Sequence, residues 1–154
     1  MTKELKMSSA FGSPKINFRN AEKQIMSHGK FATAINCMDG RIQLPVILYL
    51  KKRYDADYVD LVTEAGPIKI LAKNKDTVLL NSIKRRVEIS KTRHGSQHVG
   101  IVGHHDCAGN PVSKNVQLKQ IREAAKIVGK WGLNMVIVGL WVDENWMTHE
   151  VELG

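Results

Sequence analysis

The segment Ile-Val-Gly-His-His-Asp-Cys-Ala-Gly-Asn-Pro, residues 101–111, organises the rest of the chain. It joins an apolar run to a His-x-x-Cys pair. The imidazole of His104 and the thiol of Cys107 can bind one metal ion if the chain turns sharply after a strand. We expect Gly103 and Gly109 to permit that turn. The segment therefore predicts the end of a buried strand and part of a metal site.

The missing ligand is expected from the only other cysteine, Cys37, in the segment Ile-Asn-Cys-Met-Asp-Gly-Arg at residues 35–41. Two cysteines and one histidine leave one tetrahedral position of a Zn2+ ion open. That arrangement is typical of catalytic zinc, whereas structural sites usually have four protein ligands. Taken singly, each cysteine would be expected to be a small buried apolar residue. Their placement together with His104 favours metal binding.

Asp39 and Arg41 follow Cys37 closely, so both side chains can turn back toward the open coordination position. An arginine holds a carboxylate ionised and oriented through two parallel hydrogen bonds, which a lysine does less well. Singly, Asp39 would be a turn residue and Arg41 a surface charge at a helix start. The joint pattern favours a functional pair instead.

Apolar runs predict strands at residues 31–37, 58–63, 98–103 and 135–142, and alternation predicts a short fifth strand at 148–153. Three helices are predicted between them: one with Pro45 in its first turn, one capped by Asp76, and one capped by Ser113 or Asn115. The apolar spacing of the second and third helices predicts inward faces at Leu79, Ile83 and Val87, and at Leu118, Ile121, Ala125 and Val128.

Strands that alternate with helices predict an α/β fold: a single domain with a mostly parallel central sheet of four to five strands, flanked by helices on both faces. Ligands bind such sheets beyond the carboxyl ends of strands, where the order of connection reverses. If the first and third strands are neighbours there, Cys37 comes close to the His-x-x-Cys pair.

The first residues differ from the rest of the chain. Residues 1–18 are polar and show no clear period, so we interpret them as an arm, and residues 20–28 as a short helix that ends at Gly29. We therefore divide the chain into an N-terminal arm and short helix, residues 1–30, and a zinc-binding α/β domain, residues 31–154.

The composition limits the class of protein. The 154 residues are enough for one domain with a buried core. The apolar runs at 44–50 and 135–142 are far shorter than the roughly 20 residues that span a bilayer. Residues 1–10 lack an apolar signal-peptide region, so we expect a cytoplasmic protein.

Charge is the remaining feature of the composition. Twenty-three Lys and Arg against fifteen Asp and Glu give a net charge of +8. The basic residues are scattered, and the clusters at 51–53 and 84–86 lie beside apolar residues at helical spacing. Solvated helix faces are therefore favoured over nucleic-acid binding, although a positive field can attract a small anion. We expect neither a nucleic acid nor a membrane as partner.

The motif Cys-x-Asp-x-Arg at residues 37–41, followed by Gly-His-x-x-Cys at 103–107, resembles the zinc signature of the β-class carbonic anhydrases. The segment Gly-Leu-Trp-Val-Asp at 139–143 is similar to a late strand of that family. The resemblance extends from Phe31 to the C-terminus. It implies Zn2+ held by Cys37, His104 and Cys107, with water or hydroxide in the fourth position, and a catalytic dyad of Asp39 and Arg41.

By the same resemblance, the protein would be a carbonate dehydratase, a zinc hydro-lyase that reversibly hydrates carbon dioxide to bicarbonate. Zinc-bound hydroxide would attack carbon dioxide, oriented by the dyad. The resemblance also implies a homodimer or a dimer of dimers, in which the N-terminal helices embrace the partner and both chains line the substrate pocket.

Two departures from the family pattern keep alternatives open. Residues 63–66 read Thr-Glu-Ala-Gly where the family commonly has Arg-Asn-Ala-Gly, and Ala108 replaces a usual glycine. A carboxylate at Glu64 is expected to alter the field at the metal or the dimer contact. Relatives in this fold act on carbon disulfide or carbonyl sulfide, so a related hydrolase is one alternative. The other is a non-catalytic zinc-binding scaffold or sensor whose site is closed by Asp39.

Overall fold

The computed structural model describes residues 29–154, so the predicted arm and the helix at 20–28 lie outside the described residues. In chain order the elements are β1 (Phe31–Cys37), α1 (Gly40–Tyr54), β2 (Tyr58–Glu64), α2 (Pro67–Lys73), α3 (Thr77–Arg93), β3 (His98–His104), α4 (Lys114–Gly129), β4 (Val136–Val142) and β5 (Thr148–Val151).

One five-stranded sheet has the order β2-β1-β3-β4-β5. Strands β1 to β4 are parallel, and β5 is an antiparallel edge strand. The chain passes from β1 outward to β2 and then returns to the other side of β1 with β3, so the order reverses between β1 and β3. This confirms the α/β fold with a mostly parallel sheet, and the first and third strands are neighbours.

Helices cover both faces of the sheet. Helix α1 packs on one face through Ile42, Val46 and Leu50, and the other helices pack on the opposite face. Because β1 and β3 are central, all but the first residue of each is buried, which explains their continuous apolar character. The carboxyl ends of these two strands open at one edge of the domain.

Helix α1 begins earlier than predicted. Its first residue is Gly40, and Pro45 lies inside it instead of in the first turn. The start is set by Asp39, whose Oδ1 accepts a hydrogen bond from the backbone N–H of Arg41 at 2.9 Å. This N-cap satisfies a backbone donor at the helix end and sets the start of α1, while Pro45 costs the helix one backbone hydrogen bond near its beginning.

The opposite face contains one helix that the sequence pattern missed. The short helix α2 follows Gly66, whose φ of +65° is left-handed, and begins with Pro67. The predicted cap of α3 at Asp76 is confirmed by a 3.0 Å bond from the N–H of Leu79. The inward face of α3 includes Leu80 instead of Leu79, which is only half-buried.

Helix α4 is capped by Ser113, whose Oγ accepts from the N–H of Val116, so Asn115 lies within the first turn. Ile121, Ala125 and Val128 are buried as predicted, and Leu118 is half-buried. Within residues 29–154, no helix is both long enough and apolar enough to cross a membrane.

Candidate metal centre

Three predicted ligands meet at the edge where β1 and β3 end. Cys37 is the last residue of β1, His104 is the last residue of β3, and Cys107 lies three residues further along. One ligand atom from each residue lies within 4.8 Å of the others, and the two sulfurs are 3.8 Å apart. All three residues are buried, with at most 5% of their surface exposed. They form a group that can bind a metal ion.

The donor set fits zinc. Two Zn–S bonds of about 2.3 Å at a tetrahedral angle put the sulfurs about 3.8 Å apart, which is the separation found here. The Nε2 atom of His104 is buried and has no hydrogen-bond partner among the described residues. A buried imidazole nitrogen without a partner is unfavourable unless an ion or water binds it. The residues present therefore suit Zn2+ with one coordination position left over.

His104 is oriented by its neighbours. Its Nδ1 lies 2.7 Å from the carbonyl oxygen of His105, a contact that directs Nε2 toward the two cysteines. The buried amide of Gln117 on α4 accepts from the backbone N–H of His104 and donates to its carbonyl, at 3.1 and 2.8 Å. Sequence reasoning missed Gln117, although a glutamine on the apolar face of α4 was a visible signal.

The side chain of His105, next to the predicted ligand His104, is exposed. The backbone of His105 explains its position, because its N–H donates to the carbonyl of Val142 at the end of β4. This bond extends the sheet by one residue and turns the imidazole outward.

The electrostatics of the cluster favour a thiolate. A hydrogen bond from the Cys107 thiol lowers the pKa of Cys37, with further help from His104 and the backbone N–H of Gly66. Burial lowers the pKa of His104, but its interactions with Cys37, the carbonyl of His105 and the charge of Asp39 together outweigh burial and raise the pKa overall. The site is therefore built to hold negative charge on sulfur, the form in which cysteine binds a metal.

The turn between His104 and Cys107 is not made by glycine, which corrects our expectation for Gly103 and Gly109. Asp106 adopts the left-handed conformation, with φ of +54°, and Gly103 lies inside β3. The two glycines instead allow close packing. A Cβ at Gly109 would lie 2.6 Å from the backbone carbon of Ala65, and a Cβ at Gly103 would lie 3.0 Å from Ile121.

Asp39 and Arg41 form a two-pronged ion pair beside the cluster. The Nη2 of Arg41 donates to Oδ2 of Asp39 at 2.7 Å, and Nε donates to Oδ1 at 3.0 Å. The guanidinium lowers the pKa of Asp39 to about 2. Arg41 also donates to the carboxylate and carbonyl of Asp106, both at 3.1 Å. It thus joins the loop after β1 to the loop after β3, a contact that sequence reasoning did not anticipate.

Gln43 is a second glutamine that sequence reasoning missed. Its Nε2 donates to the carbonyl of Cys37 at 2.7 Å and to the carbonyl of Asp39 at 2.8 Å. The side chain of Asn36 donates to its Oε1 at 3.2 Å. Gln43 therefore holds the segment that carries one predicted ligand and the predicted catalytic carboxylate.

The unusual carboxylate of Glu64 is paired with a cation. Nη2 of Arg86 on α3 donates to Oε1 of Glu64 at 2.5 Å, and the backbone carbonyl of Glu64 accepts from Met38. The charge that departs from the family pattern is thus offset by an arginine from the facing helix.

A family model described as "Putative carbonic anhydrase" matches residues 27–152. A search of curated proteins found no match.

Solved structures give the same fold. A carbonic anhydrase from Streptococcus mutans is 18% identical, with a TM-score of 0.55 over 88% of this chain and 96% of that one. A carbon disulfide hydrolase is 11% identical, with a TM-score of 0.52 over 88% of each chain. Tetrameric β-carbonic anhydrases from Sordaria macrospora include one that is 13% identical, with a TM-score of 0.52 over 88% of this chain and 87% of that one. At these identities the likeness concerns the fold.

Proposed function

The chain belongs to the carbonic anhydrase family whose model covers residues 27–152, and on that premise we propose that it catalyses the reversible hydration of carbon dioxide to bicarbonate with Zn2+ as cofactor. The observation that carries the proposal is the convergence of two thiols and one unpartnered imidazole nitrogen where the strand order reverses. Cys37, His104 and Cys107 would hold the ion. A bound zinc ion is a Lewis acid strong enough to ionise water near neutral pH.

Asp39 supplies the orientation that the reaction needs. Its carboxylate is ionised and only accepts hydrogen bonds, so it accepts one from the attacking oxygen and directs the lone pair of that oxygen toward carbon dioxide. Arg41 keeps the carboxylate ionised and fixes its plane. Asp39 is held by Arg41 and is not a member of the group of metal-binding atoms. This arrangement supports a site with an open position over a scaffold closed by Asp39.

The first experiment separates metal binding from turnover. Zinc content and initial rates of carbon dioxide hydration are measured by stopped flow for the wild type, Cys107→Ser and Asp39→Asn. We expect Cys107→Ser to lose zinc and activity together. Asp39→Asn should retain zinc but lose about 100-fold or more in rate, an effect of the size seen when an acid–base or positioning group is removed.

Asp60→Asn is the matched control, because Asp60 also pairs with a basic side chain, the imidazole of His94, but lies away from the cluster. It should keep both zinc and rate. Loss of zinc in Asp39→Asn would favour the closed scaffold. A zinc-loaded wild type that hydrates no carbon dioxide but hydrolyses carbon disulfide or carbonyl sulfide would assign the protein to that related activity. A wild type that never binds zinc would refute the proposal.

We also propose a homodimer or a dimer of dimers. The exposed side chains of Leu44, Leu48 and Met147 line an apolar groove of about 340 Å³ between α1 and the β4–β5 turn. A second copy of the chain is the occupant that the tetrameric structural neighbour favours. Sedimentation of the wild type and Leu48→Glu tests this: a charge in the groove should shift the assembly toward monomer, and an unchanged mass would exclude this groove as the interface.

A further inference from the structure

Trp146 has a backbone conformation that its side chain disfavours. Its φ is +59°, in the left-handed region. Within residues 29–154, the other non-glycine residues with positive φ are all Asp or Asn, the types that tolerate this region best: Asp55, Asn74, Asp106 and Asn134. A tryptophan here is therefore an exception that the local backbone does not explain.

The β4–β5 turn does not need an indole. Asp143 forms the turn, because its Oδ1 accepts from the N–H groups of Asn145 and Met147, each at 2.9 Å. The backbone of Trp146 contributes one N–H, which donates to the carbonyl of Asp143 at 3.0 Å. Glycine or asparagine would make the same bond with less strain.

The ring of Trp146 instead covers Arg41. The guanidinium carbon lies 4.7 Å from the ring centroid, within the range of a cation–π contact. The ring is half-buried and also packs against the core cluster that contains Cys37 and Cys107. Trp146 thus connects the edge of the sheet to the residues around the metal cluster.

The three partners of Arg41 use different parts of its planar group. Asp39 and Asp106 accept hydrogen bonds from the N–H groups, which point out of the edge of the guanidinium. Trp146 instead presents the face of its ring to the guanidinium carbon. The hydrogen bonds act at the edges of the guanidinium, and packing against a half-buried aromatic ring adds a contact that further restricts its movement.

We propose that Trp146 is a positioning residue, which fixes the plane of Arg41 so that both of its hydrogen bonds reach the Asp39 carboxylate. This inference rests on the proposed function, in which Asp39 orients the attacking oxygen. It explains why a strained tryptophan occupies a turn that Asp143 already forms.

The test compares Trp146→Gly and Trp146→Asn, which suit the backbone but remove the ring, with Trp146→Phe, which keeps a ring at the same φ. Asn134→Gly is the control at another left-handed position, remote from the cluster. We expect the first two variants to bind zinc normally and to lose about tenfold or more in kcat with KM nearly unchanged, since a misplacement of about 1 Å is enough for such an effect. Trp146→Phe should recover most of the rate.

A second readout does not depend on activity. The ¹⁵N relaxation of the Arg41 Nε–H group, identified by its absence in Arg41→Lys, is measured in metal-free and zinc-loaded protein. We expect the signal to become more mobile in Trp146→Gly and Trp146→Asn and to stay rigid in Trp146→Phe and Asn134→Gly. If the wild type shows no hydration activity, the proposed function fails while this measurement still decides the inference.

Two outcomes overturn the proposal. One is a rigid Arg41 with an unchanged rate in whichever of Trp146→Gly and Trp146→Asn folds. The other is a folded Trp146→Phe that loses as much as the ring-free variants in both rate and rigidity. A mobile Arg41 in the ring-free variants, recovered by phenylalanine, supports it.

Discussion

The two loops that carry the predicted ligands are built in different ways. Only Met38 and Asp39 separate β1 from α1, and Cys37 is still part of its strand. Residues 105–113 separate β3 from α4, and Cys107 lies within this longer loop. The first loop is stabilised mainly by residues close to it in the chain: Asp39 caps α1, and Gln43 in α1 binds the carbonyls of Cys37 and Asp39.

The second loop depends on distant residues. Gly109 packs against the backbone of Ala65, Gln117 on α4 binds the backbone of His104, and Arg41 at the start of α1 binds Asp106. A short capped loop thus holds its ligand through local bonds, whereas a long loop must be fixed by tertiary contacts. We therefore expect equivalent changes to harm the second loop more than the first.

The largest effect is expected from Gly109→Ala, with Gly40→Ala, at the junction of the first loop and α1, as its counterpart. A methyl group at Gly109 would lie 2.6 Å from a backbone carbon that cannot rotate away, whereas a Cβ at Gly40 meets nothing within 4 Å. Gly109→Ala should lower the free energy of unfolding by about 3 kcal/mol and reduce zinc binding. Gly40→Ala should leave the free energy of unfolding unchanged or raise it by up to about 1 kcal/mol, because alanine favours a helix more than glycine does.

Urea unfolding with metal-free protein and zinc titration with a competing chelator measure both quantities. Equal losses in the two alanine variants would show that the two loops do not differ in their tolerance of a methyl group.

The next effect compares the two glutamines. Gln117→Met keeps the side-chain volume but leaves the buried N–H and carbonyl of His104 without partners, so we expect a loss of about 2 kcal/mol. Gln43 is only half-buried, so in Gln43→Met water can bind the carbonyls of Cys37 and Asp39 in its place. The free energy of unfolding should fall by about 1 kcal/mol or less. Thermal and urea unfolding of both variants check the order. A larger loss for Gln43→Met would reverse the comparison between the loops.

The smallest effect is expected from Asp106→Asn. Asparagine tolerates the left-handed conformation, so only the ion pair with Arg41 is lost. The side chains of Arg41 and Asp106 are both exposed, so the pair contributes little to stability. The loss of unfolding free energy should be at most about 1 kcal/mol, and zinc content should be unchanged. Glu123→Gln, which removes the exposed pair with Lys126 on α4, is the control. If Asp106→Asn released zinc, the ion pair would be the main support of the second loop.

Much of the fold could be predicted because apolar periodicity and helix caps are local signals. Asp76 and Ser113 cap their helices as residues of those types do elsewhere, and the buried strands follow their apolar runs. The start of α1 and the existence of α2 could not be read in this way. The Asp39 cap starts α1 five residues before Pro45, and α2 is a helix of only seven residues that begins with Pro67 after the left-handed Gly66.

The residues of the candidate site also fall into those that the sequence predicted and those that it did not. The ligand types, their spacing and the pairing of Asp39 with Arg41 were visible in the chain because they depend on chemistry and short separations. Gln117, Asp106 and Trp146 were not, because each acts on a residue far from it in the chain. Their partners are set by the packing of α4 and the β4–β5 turn against the loops.

The sequence by itself determined the strand and helix pattern, the two thiols and one imidazole available to a metal, and the carboxylate and guanidinium beside them. Only the tertiary structure decided that the sulfurs lie 3.8 Å apart, that Arg41 also binds Asp106, and that an indole covers that arginine. The physical reason is the distance along the chain over which each kind of interaction acts. Local propensities act over a few residues, whereas distances at a site are set by the order in which strands pair and helices pack.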